Sequence, residues 1–158
     1  MSSPAQATAQ AFATSWNNLP PGSVYTRAQF EDWMAPLTAA DVRGRQVLEL
    51  GCGNGSLLVH CADWQPARLV GVDLGASVET ARRNSAPFAC VEVVQADLVS
   101  YAEAGFDLVY CIGVLHHLKD PQQGFVSVVR NTRPGGRFHC WVYAREGNAL
   151  VIALVEPI

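Results

Sequence analysis

The sequence predicts an α/β fold, a Rossmann-like doubly wound parallel sheet of about five strands with helices on both faces, and three observations carry that prediction. Short apolar runs bounded by turn residues alternate with helix-patterned segments along the chain. One run breaks into Gly51, Gly53 and Gly55 at alternate positions, and two others finish on or next to a carboxylate, Asp73 and Asp97. At 158 residues and 49% hydrophobic, the chain can bury one substantial core but not two comfortable ones. Parallel strands covered on both faces with right-handed crossovers follow.

Taken in order, residues 1–25 read as an N-terminal extension, rich at first in Ala, Ser, Thr and Gln, with Phe12 and Trp16 spaced for a short helix and a loop at Pro20-Pro21-Gly22. The domain then occupies residues 26–158. Thr26 is a candidate N-cap for a helix through Met34, and Phe30, Trp33 and Met34 share one face that is expected to pack rather than touch a ligand. Tyr25 and Arg27 stand at the entry to the domain, where they could close over a bound molecule.

Val47, Leu48 and Leu50 form the first strand, and the glycines that follow let the backbone turn tightly and approach a ligand without a Cβ in the way. Leu57, Leu58 and Cys61 have helical spacing, so a helix should run from the loop to about Trp64 and stop before Pro66. Residues 68–74 make a second strand ending at Asp73. The carboxyl ends of parallel strands line the ligand crevice of such sheets, and about twenty residues separate this acid from the glycine loop, the spacing of a carboxylate that reads two ribose hydroxyls. A helix cap for the segment 77–83 is the competing reading.

Residues 90–94 are a third strand leading to Asp97, which can accept from an exocyclic amine such as that of adenine or cap the next turn. The fourth strand is 106–112. A short turn or helix through His116 and His117 is halted at Pro121, and a longer helix follows with Phe125, Val128 and Val129 at core spacing. Arg133-Pro134-Gly135-Gly136 is a sharp turn, residues 137–143 a fifth strand, and residues 146–155 are apolar enough for a last helix.

Composition excludes several functions. A net charge of −3 gives no general attraction to nucleic acid or to an anionic membrane. The N-terminus lacks a secretory pattern and no stretch has the length of a membrane span, so a cytoplasmic location is expected. Five cysteines contain no Cys-x-x-Cys pair, and the neighbours in His60-Cys61 and His139-Cys140 would point apart in a strand, so no metal site is expected.

The nucleotide type follows from the loop. A dinucleotide fingerprint needs a third glycine where Ser56 stands, and no Gly-Lys-Ser or Gly-Lys-Thr supports a Walker loop. The ordered set Glu49-Leu50-Gly51-Cys52-Gly53-Asn54-Gly55, Asp73, Asp97, Asp107-Leu108-Val109, Val114-Leu115-His116-His117-Leu118 and Arg133-Pro134-Gly135-Gly136 resembles the class I S-adenosylmethionine-dependent methyltransferases, over roughly residues 30–143.

The resemblance implies S-adenosylmethionine as cofactor, S-adenosylhomocysteine as product and a small-molecule acceptor. By the same resemblance, Glu49 and the backbone of Gly51, Cys52 and Gly53 would hold the methionine portion, and Asp73 the ribose. Leu74 and Leu98 would flank the adenine with Asp97 at its amino group, and the backbone at Cys111 and Ile112 would reach the methyl end. His116 and His117 are candidate proton acceptors, since histidine has a suitable unperturbed pKa; alternatively one packs or caps and the other faces solvent. The family has seven strands, whereas this chain stops soon after the fifth. The expectation is a domain lacking the last two strands, its fifth strand covered by a partner or a missing C-terminal segment. A cofactor-binding module without turnover and a nicotinamide-dependent oxidoreductase are the alternatives.

Overall fold

A computed structural model describes residues 25–143, and the elements expected around Phe12 and Trp16 and over residues 146–155 lie outside them. Among the described residues are five parallel strands, β1 (Gln46–Leu50), β2 (Arg68–Asp73), β3 (Val91–Gln95), β4 (Phe106–Ile112) and β5 (Thr132–Trp141), in the spatial order β3-β2-β1-β4-β5. The helices are α1 (Arg27–Met34), α2 (Ala39–Val42), α3 (Ser56–Ala62), α4 (Val78–Ser85) and α5 (Pro121–Asn131), with one turn of 3-10 helix at Leu115–His117.

β1 sits at the centre, paired with β2 on one side and β4 on the other, so the order reverses direction there. A ligand crevice opens at such a reversal, outside the carboxyl ends of the strands. The reason β1 is central is its content: Val47, Leu48 and Leu50 are fully buried and supply side chains to both faces of the sheet. One face carries Phe30, Met34, Leu58 and Trp64, the other Leu48, Val70, Val109 and Val128.

Local signals place the helices. Thr26 caps α1 with a reciprocal Gln29 contact, as the sequence predicts. Pro121 starts α5 rather than merely ending the turn before it, because Asp120 accepts from the backbone of Gln122 and Gln123 and proline suits the first helical position. Of the three α5 residues expected in the core, only Val128 is buried; Phe125 and Val129 are 40% and 46% exposed. They share an apolar face with Phe138 on β5, whose ring meets Phe125 edge-on at 5.4 Å. Among the described residues no strand pairs with the outer edge of β5.

The expected turn at residues 133–136 interrupts β5 rather than preceding it. Phe106 pairs with Thr132 and Leu108 with Arg137, so four residues loop out between two pairings, with Gly135 in the left-handed region at φ +73°.

Candidate active site

The glycine loop is held by the strand beside it. The amides of Gly51 and Cys52 both donate to the Val72 carbonyl of β2, at 2.7 and 3.0 Å. Gly55 adopts φ +80°, and a Cβ there would lie 2.9 Å from the Ala81 backbone of α4. Only glycine satisfies both demands. The loop, the ends of β1, β2, β4 and β5 and the segment after β3 surround a cavity of about 380 Å3, lined from the β3 side by Asp97, Leu98, Asp73, Leu74, Glu49, Gly51, Cys52 and Gly53, and from the β5 side by Ile112, Gly113, Val114, His117, Lys119 and Trp141.

Asp73 joins β2 to the loop. Its Oδ2 accepts from the Gly53 amide at 2.9 Å and its Oδ1 from Gly75 at 2.8 Å. The residue preceding α4 is Ser77, so Asp73 does not cap that helix. A carboxylate has about four acceptor positions, which leaves room for two further donors from the cavity. Asp97 turns the chain after β3 by accepting from Val99 at 2.9 Å, and also lines the cavity.

Glu49 is 1% exposed, and its Oε2 accepts from the Tyr110 hydroxyl at 3.0 Å. Burial pushes its carboxyl up to about 8; the Tyr110 hydrogen bond opposes this and the Asp73 charge adds to it. A buried acid lining a cavity is favourably matched by a cationic ligand group, because such a group compensates the desolvated charge. These acceptors therefore fit the ammonium and sulfonium of the expected cofactor, and the cradle needs glycine, because a Cβ on Gly51 would stand 2.5 Å from Val114.

Most of the expected site residues come together in this cavity, with two exceptions. Cys111 is fully buried in the sheet and does not line it; Ile112 and Gly113, one and two residues on, do. His116 also stays outside, both ring nitrogens buried without a hydrogen-bond partner, while His117 lines the cavity. Burial lowers the pKa of both rings, for His116 with a contribution from His117. Tyr25 reaches the cavity, but Arg27 turns to α3, donating to the His60 carbonyl at 2.8 Å and pairing with Asp63.

Trp33 corrects the expectation that the α1 aromatics only pack. Phe30 and Met34 are fully buried, whereas Trp33 lines the cavity beside Tyr25, Trp141 and Tyr143. Helical spacing alone could not separate it from core, but Trp141 had a signal in its place near the carboxyl end of the expected strand 137–143, the end that faces the crevice. The two histidines of the His-Cys pairs anchor α1 here. His60 Nε2 donates to the Tyr25 carbonyl and His139 Nε2 to the Trp33 carbonyl, each at 2.7 Å.

Comparison with known proteins agrees with this geometry. A family profile described as a methyltransferase domain matches residues 48–140. The ubiquinone biosynthesis O-methyltransferase of Klebsiella pneumoniae is 32% identical over 117 residues, 71% of this chain and 48% of that protein. The tRNA U34 carboxymethyltransferase of Sulfurovum is 31% identical over 100 residues, 61% of this chain and 33% of that one. A crystal structure of an S-adenosylmethionine-dependent methyltransferase from Mesorhizobium loti superposes with a TM-score of 0.60 at 28% identity, over 68% of this chain and 49% of that one.

The chain belongs to the class I S-adenosylmethionine-dependent methyltransferases. It spans about a third to a half of the length of these relatives. No helix among the described residues is long and apolar enough to cross a membrane.

Proposed function

We propose that this domain binds S-adenosylmethionine in the strand-end cavity and catalyses methyl transfer to a small-molecule acceptor. The observation that carries the reading is the convergence of Glu49, Asp73 and Asp97 on a cavity floored by Gly51 and Gly53. Glu49 would face the cationic methionine end, Asp73 the ribose hydroxyls and Asp97 the adenine amine, with Leu74 and Leu98 against the ring. When bound, this cofactor supplies a methyl carbon already bonded to a good leaving sulfur, so the acceptor atom gains the methyl as that bond breaks and S-adenosylhomocysteine remains.

The chain's task is then placement and exclusion of water. Ile112, Gly113 and Val114 wall the β4 end of the cavity, and His117 follows them. A ring held below the ordinary histidine range by partial burial is neutral at pH 7, and so can take a proton from an acceptor hydroxyl or amine.

Incubating the chain with methyl-labelled S-adenosylmethionine and a mixed pool of small metabolites tests the proposal. Label in acceptors, lost in Asp73→Ala, supports it. Cofactor binding with no labelled product in any pool would indicate a binding module instead.

A further inference from the structure

The β5 half of the cavity is built differently from the β3 half. Among the described residues, the carboxylates that line it, Glu49, Asp73 and Asp97, come from β1, β2 and the segment after β3. Its other half is aromatic: Tyr25, Trp33, Trp141 and Tyr143 all line it, with His117 and Lys119 as the basic side chains.

The four rings form one continuous wall. Tyr25 meets Trp33 edge-on at 4.6 Å, Trp33 lies 5.2 Å from Trp141 at a tilt of 38°, and Trp141 meets Tyr143 edge-on at 4.9 Å. Core aromatics of this protein, Phe30, Phe106 and Tyr110, are at most 1% exposed, whereas every ring of the wall keeps solvent contact and Tyr143 is 56% exposed. Three hydrogen bonds to backbone carbonyls hold the wall in place: the His60 ring to Tyr25, the His139 ring to Trp33, and the Gly113 amide to Trp141 at 2.9 Å. Burial, with the nearby Tyr143, raises the Tyr25 phenol to about 12, so it stays a neutral hydroxyl rather than a charge.

We propose that this wall is the acceptor subsite and that it takes a planar aromatic acceptor bearing an acidic substituent, a carboxylate or phenol. The inference rests on the methyltransferase reading and names its substrate class. Partly exposed rings offer their faces and edges to another ring, in the stacked and edge-on arrangements aromatic pairs prefer. An aromatic wall would also suit an organic cation, but a cation there would meet the exposed Lys119, whereas of the lining carboxylates among the described residues Asp73 and Asp97 stand at the β2 and β3 end and Glu49 is 1% exposed and already accepts from Tyr110. An acidic substituent instead finds Lys119, and a phenolic proton finds His117.

The test is tryptophan-fluorescence titration of the full chain, with and without saturating S-adenosylhomocysteine, using 3,4-dihydroxybenzoate, cyclohexanecarboxylate and phenethylamine as probes. The expected result is binding of dihydroxybenzoate at least about threefold tighter than of either of the other two, the scale of the single aromatic or charge contact that each of them lacks. Trp33→Leu should weaken it about three- to tenfold while S-adenosylhomocysteine affinity stays within about twofold. Trp33→Phe, which keeps a ring, should restore most of the loss, and the exposed Lys119→Gln should weaken dihydroxybenzoate without moving phenethylamine. Equal affinity for the saturated and aromatic acids, or preference for the amine, would overturn the proposal. Loss of S-adenosylhomocysteine binding with dihydroxybenzoate binding retained would instead count against the cofactor assignment alone.

Discussion

The Tyr110 hydroxyl donates to Oε2 of Glu49 across 3.0 Å, and neither side chain is more than 1% exposed. This pair, behind the glycine loop, puts an acid where its charge is costly. Burial raises the Glu49 carboxyl from 4.5 to about 8, while burial also raises the neighbouring Cys52, Cys61 and Cys111 thiols, which stay neutral. A folded value above the unfolded one means that the folded chain holds the extra proton. The resulting stability is fully present below the unfolded value, declines as pH rises through the window between the two, and is gone above about pH 8. The melting temperature of the ligand-free chain should therefore fall from about pH 5 to about pH 8, and Glu49→Gln should flatten that slope. An equal slope in the glutamine variant would remove Glu49 as its source.

Gly55 and Gly44 both have positive φ, yet only Gly55 has backbone next to its missing Cβ. Left-handed backbone costs an L-residue about 1–2 kcal/mol, so Gly44→Ala should lose about that much and Gly55→Ala distinctly more, since α4 must also move. Urea denaturation of the two variants compares them directly; equal losses would mean that the α4 contact is slack.

His117 lines the cavity and His116 does not. With a hydroxyl acceptor, His117→Gln should lower turnover by about a hundredfold or more, and the acid limb of the pH–rate profile should disappear. His116→Gln should leave that limb in place. A profile unchanged in His117→Gln would assign the proton to solvent.

Much of this was legible from residue pattern. The first four strands were readable because each is a short apolar run followed closely by a glycine or a carboxylate, and the fifth because it follows the Pro134-Gly135-Gly136 turn. Their ends were less clear: β3 begins at Val91 rather than Cys90, and β5 pairs once at Thr132 before the 133–136 excursion. Asp73 and Asp97 could be found because strand ends converge on one crevice, and Glu49 through the resemblance carried by the acid just before the glycines. Trp33 and Phe125 could not be sorted, because a helix with an apolar face does not reveal which rings meet core, cavity or solvent. For Cys111 and Ile112 the resemblance implied backbone contacts only, and which side chain meets the cavity was set by alternation along β4, which turns Cys111 into the sheet core and leaves Ile112 at the cavity.

The central claim is that the cavity beside Asp73 is a site for S-adenosylmethionine, and calorimetric titration of the full chain with that compound, S-adenosylhomocysteine and NAD tests it most directly. Asp73 would contribute hydrogen bonds to a charged acceptor worth about 1.5–3 kcal/mol, so Asp73→Ala should weaken binding roughly ten- to a hundredfold while the chain stays folded by circular dichroism. The account predicts micromolar binding of both adenosyl compounds, that loss in the variant, and no heat with NAD. Binding of NAD in their place, or no binding of either adenosyl compound by a folded chain, would contradict it.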